Sequence, residues 1–420
     1  MTAQRTPHDP PAVLVRPLGA SERVFYRFSE RNPAHHVAVA EFAEPLPVDG
    51  LRSALGAVQR RHPLLSVHVE DRPDTRLGFY REPTVAPIPL TTRRSADPSW
   101  EAAAADELTR PFDRSQAPLM RALLLQAQPR STLLLTFDHT LADGISTMFV
   151  LRDVLRALNG QTLSELALRL PQERLIDDAL GDVEAYDPAA QPQDPRMLRA
   201  NVFRHFDGAP TNVRTMALSA WDTARLVGRC RTERTTVHAA LVAAMSRVRA
   251  VECGEDFVRT LNPINCRALM GVGDDCGMFI QSVTTGIAPL SGTPFWEQAR
   301  ETTAQLDLAR APRGIRTLAM AGEQLMTVDA DTDRAEELFG RLCPWELLIT
   351  NLGVQHFDGI GPLRPTAVWA PVVQSQTVGE YVTGVTTYEG QLRMATCGYS
   401  VPSTFLKSVA ETLLAAVEQP

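Results

Sequence analysis

The sequence predicts a mixed α/β (α+β) fold in two lobes of similar size. Three observations carry that expectation. Strand-like and helix-like apolar periods are interleaved in both halves. At 420 residues the chain exceeds the roughly 250–300 residues that a single core sustains. The stretch "PQERLIDDALGDVEAYDPAAQPQDPRM" is rich in Pro, Asp and Gln and breaks every apolar period, as a crossover between lobes does. The expected division is a first lobe over 12–170, a linker over 171–200 and a second lobe over 201–420.

In the first lobe, "HHVAVAEFA" from His35 predicts a strand, its histidine pair placed at the surface. Leu51, Leu55 and Val58 recur at helical spacing until Pro63 stops the pattern. "LLSVHVE" alternates as a strand does, with Leu65, Val67 and Val69 on one face. "SWEAAAADELTRPF" predicts a helix capped by Ser99 and stopped by Pro111. "PLMRALLLQA" and "STLLLTFDH" predict a strand pair around Gln128, Pro129 and Arg130. A helix follows, with Met148, Leu151, Leu155 and Leu158 as its stripe and Gly160 at its end. In the second lobe, "TTVHAALVAAMSRVRAV", "PFWEQARETTAQLDLAR" and "STFLKSVAETLLAAVEQ" predict helices. "FVRTLNPINCRAL", "WELLITNLG" and "QLRMATCGYS" contain strands. The tetrapeptide "HFDG" occurs at His205–Gly208 and at His356–Gly359; Asp-Gly is ordinary turn chemistry.

Composition narrows the function. The net charge of −7 and pI of about 5.8 give no sign of the basic face that nucleic acid needs, so no nucleic-acid partner is expected. The six cysteines show no C-x-x-C spacing, which argues against a zinc site or disulfide scaffold. The N-terminus "MTAQRTPHDPPAV" lacks a secretory signal, and no apolar run suits a membrane span. A cytoplasmic location is expected. "GVGDDCG", Gly271 to Gly277, misses both the dinucleotide spacing and the lysine of a phosphate loop, and predicts a flexible loop. There is no G-x-S-x-G elbow.

The stretch that bears chemistry is "TFDHTLADGIS", Thr136 to Ser146. Leu133, Leu135, Phe137 and His139 share one parity; Leu134, Thr136 and Asp138 share the other. His139 thus ends the more apolar row, where desolvation favours its neutral ring, the form a general base needs. Asp143 lies four residues on, before a glycine that permits a tight turn. On residues alone two readings stand: a base with a supporting carboxylate, or a strand end followed by an Asp-Gly turn. A metal site would need more than these two ligands.

The same stretch resembles the His-x-x-x-Asp-Gly core of the condensation-domain and CoA-dependent acyltransferase superfamily. "RHPLL" from Arg61, "RPFDRSQAPLMRALLL" from Arg110, "LNPINCRAL" and "ITNLG" from Ile349 resemble further segments of that family, in order, over roughly residues 15–415. Within it the chain is closest in type to free-standing polyketide- or lipid-associated acyltransferases. Two departures stand out. Asp138 occupies the place of the first of two histidines usual in condensation domains. "GPLRPTAVWAP" stands where plant members carry D-F-G-W-G.

The resemblance implies two chloramphenicol-acetyltransferase-like lobes forming a V, with an active-site tunnel between them. It implies a stand-alone acyltransferase in natural-product or complex-lipid biosynthesis, moving an acyl group from a thioester to a hydroxyl or amine. His139 would be the general base. Asp143 would be structural, paired with Arg267, or with Arg300 or Arg310 as rivals; Gly144 would let the loop close on the tunnel. Thr350, Asn351 or the Gly353 N–H would stabilise the oxyanion, unless "TNLG" is only a strand end. No cofactor would be bound permanently; the donor would be phosphopantetheine-linked, on CoA or an acyl or peptidyl carrier protein, the latter a partner. The alternative is a catalytically inactive scaffold that recruits a carrier protein.

Overall fold

The structure is a computed structural model and describes residues 12–95, 99–186 and 194–419. The N-terminus through Pro11, and 187–193 of the expected linker, lie outside the described residues. In chain order the first-half strands are β1 (Val13–Pro17), β2 (His36–Phe42), β3 (His68–Glu70), β4 (Gly78–Arg81), β5 (Leu90–Arg94), β6 (Met120–Ala127) and β7 (Arg130–Phe137). Those of the second half are β8 (Asn212–Ala217), β9 (Val258–Asn265), β10 (Ile280–Ile287), β11 (Leu347–Val354), β12 (Ala367–Val373), β13 (Tyr381–Tyr388) and β14 (Gln391–Gly398). They form a five-stranded sheet β12-β2-β7-β6-β5, a six-stranded sheet β10-β9-β11-β13-β14-β8 and a small sheet β1-β4-β3. Helices pack on both large sheets, giving the mixed α/β architecture expected.

Several elements depart from the sequence reading. β12 lies within 201–420 yet pairs antiparallel with β2, Val373 opposite His36, so a strand of the second half completes the first-half sheet. Within the expected linker, Gln172–Leu180 is a helix. It buries Ile176 and Leu180, one turn apart, with Ile315 and Ala319 of the helix Pro312–Leu325. A stripe of two residues is too short to show as a period. "LLSVHVE" is a 3-10 turn, Pro63–Ser66, before the short β3. The helix Ala20–Phe28 was not expected either; its buried apolar stripe is Ala20, Val24 and Phe28, one turn apart, with only two large residues.

The register carries the site. His36 pairs with Phe137 across β2 and β7, and Met120 pairs with Phe137 on the other side. Leu133, Leu135 and Phe137 face the main core of the first lobe. The opposite face is buried too: Leu134, with Val37 and Val39, packs with Val382, Ala395 and Cys397 of the second sheet. The lobes therefore share a core. Gly384 on β13 permits the contact, since a Cβ there would stand 2.7 Å from the Pro371 carbonyl oxygen of β12.

Burial sets a pH dependence. His35, His36 and His238 are buried, and desolvation lowers all three pKa values, His35 to about 3 and His238 to about 4. The unfolded chain takes up protons near pH 6.5 that the folded one refuses, so this stability is whole above that pH and drains away below it. His35 alone accounts for about 2 kcal/mol between pH 8 and pH 5. Urea unfolding midpoints at the two pH values check this; an unchanged midpoint would contradict it.

Candidate active site

β7 ends at Phe137, two residues short of His139, and the chain turns through 138–143 into the helix Gly144–Leu158. Asp138 holds the start of the turn by accepting the Thr140 N–H at 2.9 Å. Asp143 caps the helix, one carboxylate oxygen accepting the Ser146 N–H at 2.8 Å. The other oxygen accepts from Arg267 Nη1 and from the Phe279 N–H, both at 2.9 Å. The Asp143 N–H donates to the Gly277 carbonyl at 3.1 Å. The Ser146 hydroxyl donates to that carbonyl at 2.7 Å and accepts from Arg267 Nη2 at 2.7 Å and the Gly277 N–H at 2.9 Å. Asp143 is fully buried and Arg267 nearly so. Arg300 instead pairs with Glu233, and Arg310 is not among the partners of Asp143.

The glycine-rich stretch at 271–277 is therefore not the free loop expected. Asp274 pairs with Arg152, Asp275 with Arg169, and Gly277 with Ser146. Its glycines suggested mobility, but its acidic residues meet first-half arginines that lie far off in sequence.

His139 stands at the wall of a cavity of about 230 Å³. The Phe25 ring stacks on it, centroids 4.0 Å apart and 12° from parallel. Its Nδ1 is buried without a hydrogen-bond partner, leaving Nε2 as the ring nitrogen with access to the cavity. Burial lowers its pKa below 6.5; the carbonyls of His139 and Ala142 and the carboxylates of Asp143 and Asp138 work in the other direction. Asp143, committed to three donors, makes no hydrogen bond to the imidazole. The arrangement thus presents a neutral imidazole on a loop anchored from the other lobe.

The remaining expected residues divide. Gly144 lines the cavity, and a Cβ there would come 3.2 Å from Leu352 Cδ2. Thr350, Asn351 and Gly353 line it as well. The Gly353 N–H, however, already donates to Asn351 Oδ1 at 2.9 Å, which removes it as an oxyanion donor. Thr350 and the Asn351 amide NH2 remain. Sequence reasoning missed Phe25, Phe339 and Trp345 in the wall, and misplaced His36, which is buried in the wall and not at the surface. Its burial follows from the pairing of β2 with β7 and β12, a long-range register that no local period announces. His35 is buried as well, its Nε2 2.8 Å from the Glu107 carbonyl oxygen. Among the described residues no Asp, Glu, Lys or Arg lines the cavity, no metal-binding cluster occurs and no helix is long and apolar enough to cross a membrane. The two "HFDG" tetrapeptides lie in different settings: His205–Gly208 is irregular and His356–Gly359 ends in a turn, with Gly208 and Gly359 both at positive φ.

Removing one side of the buried pair strands the other. Arg267→Ala is expected to cost about 3–5 kcal/mol in chemical denaturation. Asp143→Asn combined with Arg267→Gln should cost clearly less than the sum of the single changes.

Comparison with known proteins agrees with this architecture. A family model described as "Condensation domain" matches residues 24–172. Over 174 residues the chain is 33% identical to phosphinothricin tripeptide synthetase PhsC of Streptomyces viridochromogenes, covering 37% of this chain and 16% of that protein. The chain thus spans a small part of that relative. The solved structure of polyketide synthase associated protein 5 from Mycobacterium tuberculosis matches with a TM-score of 0.67 at 16% identity, over 97% of this chain and 99% of that one. The epimerization domain from the third module of tyrocidine synthetase B matches with a TM-score of 0.65 at 14% identity, over 98% and 99%. At such identities the structural likeness is one of fold. The chain is thus similar to condensation domains in sequence over residues 24–172, and in fold along its whole length.

Proposed function

We propose that this protein is an acyltransferase that moves an acyl group from a phosphopantetheine thioester to a hydroxyl or amine acceptor. The observation that carries the reading is His139: a neutral imidazole whose Nε2 opens on a cavity at the seam of two lobes. Such a ring removes the proton of an acceptor O–H or N–H as the acceptor attacks the thioester carbonyl. It then returns that proton to the departing thiolate, so no acyl-enzyme is required. Thr350 and the Asn351 amide are the candidates to stabilise the oxyanion.

The walls support an uncharged acyl group, because an ionised group would enter this cavity without a counter-charge. An acyl or peptidyl carrier protein is the favoured donor partner, with CoA the other source of the same arm. The likeness to a tripeptide synthetase and to a polyketide synthase associated protein supports a role in natural-product assembly, with complex-lipid assembly the other setting for the same reaction. The epimerization domain shares the fold, so the fold alone does not select the reaction.

Purified protein incubated with acyl-CoA and carrier-loaded thioesters, against alcohol and amine acceptors, should form ester or amide product detectable by mass spectrometry. His139→Ala should lower turnover by about 10²–10⁴-fold. Full turnover in that variant would remove His139 as the base. The acid limb of kcat/KM should lie below pH 6.5, since activity is lost only as the ring takes up its proton.

A further inference from the structure

The cavity at His139 is not uniform along its length. His139, Thr350 and Asn351 give it polar groups. Five further lining residues, Phe28, Ala34, Leu261, Phe339 and Trp345, are all members of one buried apolar cluster. Ring contacts give this part an order. Phe25 stacks on His139 at 4.0 Å, Phe25 meets Phe339 at 5.8 Å, and Phe339 meets Trp345 edge-on at 5.8 Å and 89°. Phe28 also reaches Phe339, at 4.8 Å. Trp345 is thus the third ring out from His139. Phe339 belongs to a π-helical turn, Leu338–Leu342, an irregularity that is frequent at functional sites.

Trp345 is firmly held. It is buried, and its indole N–H donates to the Glu380 carboxyl at 3.3 Å. Its carbonyl accepts from the Asn201 amide at 2.6 Å. The next residue, Glu346, accepts the Arg259 N–H at 2.8 Å and pairs with the Arg259 guanidinium in the core. Glu380 is buried in turn, and its carboxyl accepts the Ser375 N–H at 2.9 Å and the Ser375 hydroxyl. Ser375 also lines the cavity. One buried carboxyl therefore ties together two wall residues, one just before β11 and one just after β12. A large ring fixed in a close-packed core is a stop, since such packing yields little.

We propose that Trp345, braced by Glu380, is the floor of an acyl chamber and sets the longest acyl chain that the protein accepts. The proposal rests on the acyl-transfer reading, which puts the thioester carbonyl at His139 and leaves the tail to run past Phe25 toward Phe339. The substrate class is an uncharged, apolar acyl group of limited length. Such a tail gains from burial among these rings. A charged tail would lose its hydration there without a counter-charge.

Calorimetric binding of a series of n-alkanols to the full chain tests the chamber without any chemistry. Each added methylene should tighten binding about fourfold until the chain end reaches Trp345, and give no gain beyond that length. Trp345→Leu should move this break to longer alkanols by at least one carbon. Ala34→Leu fills space in the same cluster and should move it to shorter ones; it decides the matter if Trp345→Leu does not fold. The profile of kcat/KM against chain length, over a series of acyl-CoA and carrier-bound thioesters, should shift in the same directions. Absence of alkanol binding, or a break that neither substitution moves, overturns the proposal. So does an alkanol break that moves while the thioester profile stays, because the chamber then holds the acceptor. If the alkanol break moves as expected but no thioester is turned over, the chamber stands and the acyl-transfer reading falls.

Discussion

The site depends on one buried ion pair. Asp143 belongs to the first lobe and Arg267 to the second, and both are out of water. Such a pair offsets its desolvation only if every remaining valence is met. Here the Asp143 carboxylate accepts from Arg267, Phe279 and Ser146, while Arg267 also reaches the Ser146 hydroxyl. The guanidinium lies 4.9 Å from the centroid of the Phe279 ring. The turn bearing His139 is therefore shaped by groups that arrive from the other lobe. A first lobe alone would hold the motif without its geometry.

That commitment decides what His139 can be. A carboxylate hydrogen-bonded to an imidazole favours its charged form; Asp143 is spent elsewhere. What touches the ring is Phe25 on one face and His36 at close range, neither of which supplies negative charge. Desolvation then prevails over the more distant carboxylates. The outcome is a ring that is neutral at ordinary pH, weaker as a base than a free histidine but present in the required form. The same uncharged walls suit the thioester and apolar acyl chain of the proposed reaction.

How much of this was legible in the sequence varies with the range of the interaction. The strand β7, the helix after it and the cap Ser99 follow from local periods and side-chain chemistry, whereas the capping role of Asp143 emerged only from the structure. The Asp143–Arg267 contact was suggested by resemblance; residue spacing alone could not have selected Arg267 over Arg300. His36 was misplaced because its parity within "HHVAVAEFA" says which face it shares but not what covers that face. Phe25 was missed because the buried apolar stripe of its helix, Ala20, Val24 and Phe28, has only two large residues. Gly353 was misjudged because the Asn351 side chain turns back and accepts its N–H, a local contact that residue types alone do not announce.

The crossing of β12 explains why the cavity has a fixed wall. β12 pairs with β2 in the first-half sheet, and the loop that follows leads into β13 of the second. Separating the lobes would break the β12–β2 ladder or draw β13 out of its pairing with β11 and β14, and it would expose the core shared by Val37, Leu134 and Val382. Each of these costs buried hydrogen bonds or apolar contact. Pro371 and Val373 of β12 line the cavity together with Gly144 and Leu352, and Pro371 Cγ would stand 3.9 Å from a Cβ at Gly144. The width of the space in front of His139 is thus set by strand pairing as well as by side-chain packing. Phe25 and Ile145, which line this space, are only partly buried.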